Sequence, residues 1–320
     1  MIAKSLMHSG NNTRLKTAIA KAVKGEDVTI AYIGGSITQG AGAKPIHTGC
    51  YAYQSYLRFK ELFGKDGGEN IHYVKARVGG TPSELGVIRY ERDILRDGAV
   101  TPDVVVVEFA VNDEDDETKG NCFESLCLKI PSASNQPAVI LLFSVFVNDW
   151  NLQERFSPVG MHYHLPMVSV KNAVTEQFRL IKAEGNIISK RQFFYDIYHP
   201  TNDGHRVMAD CLTFLFSETY KSLTTGGDIT LDKLPVLGND FACTRLLDRK
   251  SHTGPEFGKA DILVDGKLVV TADPYTNNWT HCNPVILYQN ELNLEHVIEI
   301  RMAAGDEDKC FTILGFGYNV

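Results

Sequence analysis

The sequence predicts an α/β fold: a parallel sheet covered by helices on both faces, followed by a smaller β-sandwich. Two patterns predict the sheet. Continuous Val/Ile-rich runs ("DVTIAYIG", "PDVVVVEFAV", "AVILLFSVFV") read as strands buried on both sides. Segments of helical periodicity separate them, the alternation that a parallel sheet needs. A third observation predicts the second domain. After "TTGGD" (Thr224 to Asp228) the helical periodicity stops and short strands follow. The expected domains are residues 1–223 and 229–320, and a chain of 320 residues is long enough for two cores.

Each element has its own signal. "DVTIAYIG" leads into "YQSYLRFKELFG", whose apolar spacing is helical. "IHYVKARV" is the next strand, and "PSELGVIRYERDILRD" is a helix with Pro82 near its start. "PDVVVVEFAV" and "AVILLFSVFV" are buried strands. "VSVKNAVTEQFRLIKAEG" reads as one helix ending at Gly185, and "GHRVMADCLTFLFSETYKSL" as the last long helix. In the second domain "ADILVDGKLVV" is a hairpin turning at Asp265-Gly266, a pair that tolerates positive φ. "PVILYQ", "HVIEIRM" and "FTILGFGY" supply further strands of a sandwich.

Composition narrows the class. The chain is 43% hydrophobic and 22% charged, as globular proteins are. A formal net charge of -7 without a basic run argues against a nucleic-acid partner. No apolar run of 18 residues exists, so no membrane span is expected. The N-terminal stretch has neither the apolar core nor the cleavage site of a secretory signal. Seven cysteines without a CxxC pair then read as reduced thiols, and the expected location is cytoplasmic. The sequons at Asn11 and Asn278 carry no meaning there.

The stretch "TIAYIGGSITQGAGA" poses the functional question. A strand ends in two glycines and a serine, which suits either a phosphate cradle or a nucleophile. A P-loop fails because Ala41 stands where lysine must be. A dinucleotide fingerprint fails at Pro45, and the GxSxG elbow fails at Thr38. The remaining readings of Ser36 are a helix cap and a nucleophile.

A nucleophilic serine needs a base, and the base needs an orienting group. "YDIYHPTNDGH" offers Asp196 and His199, three residues apart, before the last helix. Asp203 and His205 are alternatives there, better read as helix-start residues. Oxyanion donors are offered by Asn112 in "VEFAVND" and by Gly79-Gly80 in "RVGGTPSELG", each at the end of a strand. A glycine there lets its N–H approach an oxygen closely.

These blocks, "GGSIT", "VGGTPS", "AVND" and "DIYHP", resemble in order and spacing those of the SGNH (GDSL-like) hydrolases, over about the first 220 residues. The resemblance implies a three-layer α/β/α flavodoxin-like domain, here with a jelly-roll-like β-sandwich appended. It implies Ser36 as nucleophile, His199 as general base and acid, and Asp196 orienting His199. Ser36, Gly80 and Asn112 would form the oxyanion hole, with Gly79 the alternative to Gly80. Gly35 replaces the commoner Asp of the first block, and Ala110 the commoner Gly of the third. Such departures point to the carbohydrate-esterase side of the family. The expectation is a serine esterase acting on short acyl esters, acetyl above all, of carbohydrate. The expected partner is a small-molecule or oligosaccharide ester, with no cofactor. The rivals are a lipid-directed esterase or lysophospholipase, a carbohydrate-binding protein on an inactive scaffold, and a metallophosphatase.

Other features are weaker. "NDEDDETKG" lacks the glycine and closing glutamate of a calcium loop and reads as a solvated acidic loop. His162 and His164 have HxH spacing but no further zinc ligands in view. Trp150, His162 and Tyr163 read instead as a substrate wall, and Tyr275 and Trp279 as a contact loop of the sandwich. A closed homo-oligomer is compatible with such a chain.

Overall fold

The structure is a computed structural model that describes residues 1–96, 98–114, 116–248, 258–273, 285–287, 295–309, 311, 313 and 315–318. The chain divides into two compact units, Met1–Ala242 and Cys243–Val320.

In the first unit the order is β1 (Leu6–His8), α1 (Thr13–Lys24), β2 (Val28–Gly34), α2 (Ser36–Gln39), α3 (Tyr51–Phe63), β3 (Ile71–Arg77) and α4 (Ser83–Asp93). There follow β4 (Val104–Glu108), α5 (Asn121–Lys129), β5 (Ala138–Phe143), α6 (Gln153–His162), β6 (Met167–Ser169), α7 (Val170–Val174), α8 (Lys190–Phe193) and α9 (Asn202–Lys221). The sheet has six strands in the order β1-β6-β5-β4-β2-β3. All neighbours are parallel except β1, which pairs antiparallel with β6. Such a sheet must bury both faces, and its strands alternate between two cores. Ile30, Tyr32, Val104, Val106, Ile140 and Leu142 point to one core with α1, α3 and α9. Ala31, Ile33, Val105, Val107, Val139 and Leu141 point to the other, with α4, α5 and α6. Full burial of each such side chain contributes about 1.5–3 kcal/mol before entropy is counted. Cys211 sits in the first core, and Cys122 and Cys127 in the second.

The strand order places the site. From β2 the chain goes outward to β3, and from β3 it returns past β2 to β4. That reversal opens a crevice at the carboxyl ends of β2 and β4, the usual ligand position in open α/β sheets.

Two expectations change. The helix expected up to Gly185 is broken into β6, α7 and short 3-10 turns at Gln177–Arg179 and Lys182–Glu184. Polar side chains take over the backbone groups there: Ser169 Oγ accepts from Asn172 N, and Gln177 Oε1 accepts from Ile187 N. The unit boundary also falls later than residues 223–229. Ile229, Leu231, Leu237 and Phe241 pack on the second core. The buried Glu124 carboxylate accepts from the backbone N–H of Val236, Leu237 and Gly238 and from Tyr163 Oη.

The second unit is antiparallel. β7 (Arg245–Asp248) pairs with β11 (Gly315–Tyr318), and β8 (Ala260–Val264) pairs with both β9 (Lys267–Ala272) and β10 (Ile298–Met302). The β8–β9 turn takes φ 50° at Asp265 and 78° at Gly266, as a two-residue hairpin requires. Tyr275 and Trp279 lie outside the described residues, as does half of "PVILYQ".

Replacing Glu124 by alanine leaves three backbone N–H groups without their acceptor. The expected loss is roughly 3 kcal/mol, read by urea denaturation, with early proteolysis between residues 229 and 242. A loss under ~0.5 kcal/mol would show that the 229–242 segment does not depend on this carboxylate.

Candidate active site

Ser36 follows β2 after a single residue, Gly35, and starts the four-residue α2. The two glycines before it are required by close approach. A Cβ on Gly34 would stand 2.1 Å from Thr38 Oγ1 and 2.6 Å from the Glu108 carbonyl. A Cβ on Gly35 would stand 2.5 Å from Asn112 Oδ1. Gly35, not Ser36, is the N-cap. The half-buried hydroxyl instead lies 3.0 Å from His199 Nε2.

His199 Nδ1 lies 2.8 Å from Asp196 Oδ2. The other carboxylate oxygen, Oδ1, accepts from the N–H of Tyr198 and of His199, each at 2.7 Å. Burial alone would raise the Asp196 carboxyl, but the His199 hydrogen bond and the two backbone donors outweigh it and hold it below its ordinary range. Tyr195 N donates to the His199 carbonyl at 2.8 Å, and Phe194 bridges Pro200, so the loop is pinned at its neck. His205 is no rival. Its Nδ1 accepts from Tyr51 N and its Nε2 donates to the Ala41 carbonyl, which fixes a neutral ring. Burial lowers its pKa to about 4.

Two loops flank Ser36. A Cβ on Gly79 would lie 3.7 Å from Ser36 Cβ, and Gly80 takes φ +69°. Asn112 lies in the turn after β4, its N–H donating to the Phe109 carbonyl at 3.0 Å, with its side chain against Gly35. Asp113, the next residue, ties the two loops together: Ser83 N and Oγ donate to its two carboxylate oxygens at 2.8 and 2.6 Å. The sequence reading missed this link, because nothing in the spacing joins residue 83 to residue 113.

The acidic loop is not fully solvated, contrary to expectation. Asp113 and Asp116 are buried. Asp116 accepts from Thr118 N, Thr118 Oγ1 and Gly120 N. Glu84 lies against Asp116 and accepts from Glu117 N. Burial, and then the Asp116 charge, push the Glu84 carboxyl up to about 9, and burial pushes Asp113 up to about 8. Among the described residues, no group of His, Cys, Asp and Glu could hold a metal ion.

The expected substrate wall is divided. Trp150 stacks on Phe146, which packs against Tyr198 beside His199. Tyr163 is fully buried in the second core with its hydroxyl on Glu124. The start of α6 adjoins the Asn112 turn, since Leu152 N donates to the Ala110 carbonyl. His162 ends that ten-residue helix, about 15 Å away, with Nε2 on the Leu234 carbonyl. His162 and Tyr163 are therefore not part of the crevice.

Glu84 gives a test of the buried acid pair. The folded chain keeps its proton up to about pH 9, whereas the ordinary value is 4.5. Its contribution is therefore fully present below pH 4.5 and is lost as pH rises toward 9. Thermal melts from pH 5 to 9 should show a falling midpoint in wild type and a flatter profile in Glu84→Gln. Gly35→Ala should displace the Asn112 side chain and lower kcat on a small ester by ~10²-fold, as loss of an oxyanion donor does. Unaltered kcat would mean that the amide position is immaterial.

No family model matches the sequence, and no curated protein matches it. Solved structures do. A two-domain esterase active on acetylated mannans is similar at 25% identity, over 99% of this chain and 97% of that one, with a TM-score of 0.84. The same kind of esterase co-crystallised with mannopentaose matches at 25% identity, over 100% and 96% of the two chains, with a TM-score of 0.81. That likeness extends over both units. The chain is a carboxylesterase with the fold of these two-domain esterases.

Proposed function

We propose that the protein removes acetyl groups from O-acetylated carbohydrate through a Ser36–His199–Asp196 triad. The observation that carries this reading is the unbroken hydrogen-bond path from Ser36 Oγ through the imidazole to Asp196. His199 Nε2 takes the Ser36 proton as Oγ bonds to the ester carbon. The oxyanion is met by the N–H groups of Ser36 and Gly80 and by the Asn112 amide. The bond from carbon to the alcohol oxygen then breaks, and His199 returns the proton to that oxygen, leaving acetyl-Ser36. Water, deprotonated by His199, attacks the acetyl carbon and releases acetate and free Ser36. Asp196, acidified by its three donors, stays ionised and holds the imidazole in the tautomer that receives the proton at Nε2.

The acetylated-carbohydrate part is supported by the neighbour's action on acetylated mannans and by the mannopentaose co-crystallised with its counterpart. A reducing compartment suits the free thiols at Cys50, Cys122, Cys127 and Cys211.

The test is hydrolysis of p-nitrophenyl acetate, butyrate and octanoate by wild type, Ser36→Ala and Asp196→Asn. Acetate should be preferred. Ser36→Ala should lose at least ~10³-fold in kcat, and Asp196→Asn a similar amount. A Ser36→Ala variant that keeps its rate would end the triad reading, and a preference for octanoate would end the acetyl one.

A further inference from the structure

The loop that turns Asp196 and His199 inward turns apolar side chains outward. Tyr195, Ile197 and Tyr198 are 60%, 55% and 43% exposed. This exposure is fixed by the backbone. Tyr195 N donates to the His199 carbonyl, Val147 N donates to the Ile197 carbonyl at 3.1 Å, and Asp196 holds the N–H of Tyr198. A rigid loop that presents large apolar groups to water beside a reactive histidine is built to be covered.

The rings form a continuous face. The Tyr198 ring centroid lies 6.1 Å from the His199 imidazole. Tyr198 packs edge-on against Phe146 at 5.0 Å, and Phe146 stacks on Trp150 at 5.7 Å. Polar groups border it: exposed Asn148, and the Lys190–Asp149 ion pair at 2.9 Å.

The chemistry says which half of an ester meets this face. The carbonyl oxygen must point toward Gly80 and Asn112. The alcohol oxygen must lie where His199 Nε2 can return a proton to it. The alcohol half therefore leaves on the His199 side, where Tyr198 stands. A fatty alcohol or acyl chain would need an apolar border. Aromatic rings with a polar rim suit a pyranose, which has a flat C–H face and hydroxyls at its edge. Resting on the triad reading above, we propose that Tyr198, backed by Phe146 and Trp150, is the leaving-alcohol subsite and takes the face of the sugar ring that bears the ester.

Two esters with the same acyl half test this: ethyl acetate and acetylated manno-oligosaccharide. In Tyr198→Ala and Trp150→Ala, kcat/KM on the oligosaccharide should fall about tenfold or more relative to kcat/KM on ethyl acetate, mainly through KM. Tyr198→Phe keeps the ring and should restore most of that ratio. Equal losses on both esters would overturn the proposal, because the ring would then serve only to hold His199. No loss on either would place the alcohol elsewhere. A ratio that instead follows acyl length, from acetate to octanoate, would assign the face to the acyl half. Failure of the triad itself is distinguishable, since it shows as activity that survives Ser36→Ala.

Discussion

A single carboxylate removed from water holds the working end of the sheet together. Glu108 closes β4 and is fully buried. It accepts from Thr38 Oγ1 at 3.1 Å and from Ser144 Oγ. Thr38 shares a further hydrogen bond with Tyr51 Oη at 2.8 Å, and the Ser144 carbonyl accepts from Asn151 Nδ2 at 2.7 Å. Burial raises the Glu108 carboxyl to about 7 against these two donors. Stranding such a group without partners is costly, so its partners are not free to move. Thr38 belongs to the same short helix as Ser36. The nucleophile's helix is thus positioned from beneath, by a polar network spanning the ends of β2, β4 and β5.

The same end of the sheet is where side chains are least tolerated. The Gly34 carbonyl accepts from Arg89 Nη2 at 3.0 Å, and Arg89 is itself fully buried. Gly34 and Gly35 leave room for Thr38 and Asn112, and Asp113 fixes Asn112's turn to Ser83. Compact backbone on one side and bridging carboxylates on the other give a crevice whose walls are set before any substrate arrives. Preorganisation of this kind lets donors stabilise charge without reorganising.

Much of this was legible in the sequence, and for identifiable reasons. Buried parallel strands announce themselves as Val/Ile runs, and an Asp three residues before a His is near it in any tight loop. Ser36, Asp196 and His199 were therefore found together. What failed was what depends on distance through space. His162 and Tyr163 follow Trp150 closely in sequence, but α6 carries them a helix length away. The acidic loop looked solvated because the donors to Asp113 come from Ser83 in another segment, while Asp116 turns inward onto Thr118 and Gly120 of its own loop. Residues 229–242 looked like the start of the sandwich because Glu124, which captures them, lies more than a hundred residues earlier. The helix expected at 168–185 had the right periodicity, but Ser169, Gln177 and Asn186 compete for its backbone groups.

The placement of the thiols has a use of its own. Cys211 lies in one core, and Cys122 and Cys127 in the other. Burial pushes all three thiols up, Cys211 to about 12, so none reacts while the sheet stays covered. Alkylation at each must wait for its own layer to open. The two sides of the sheet therefore carry separate chemical clocks, and the native sequence lets the opening of each layer be timed against the other without introducing any label.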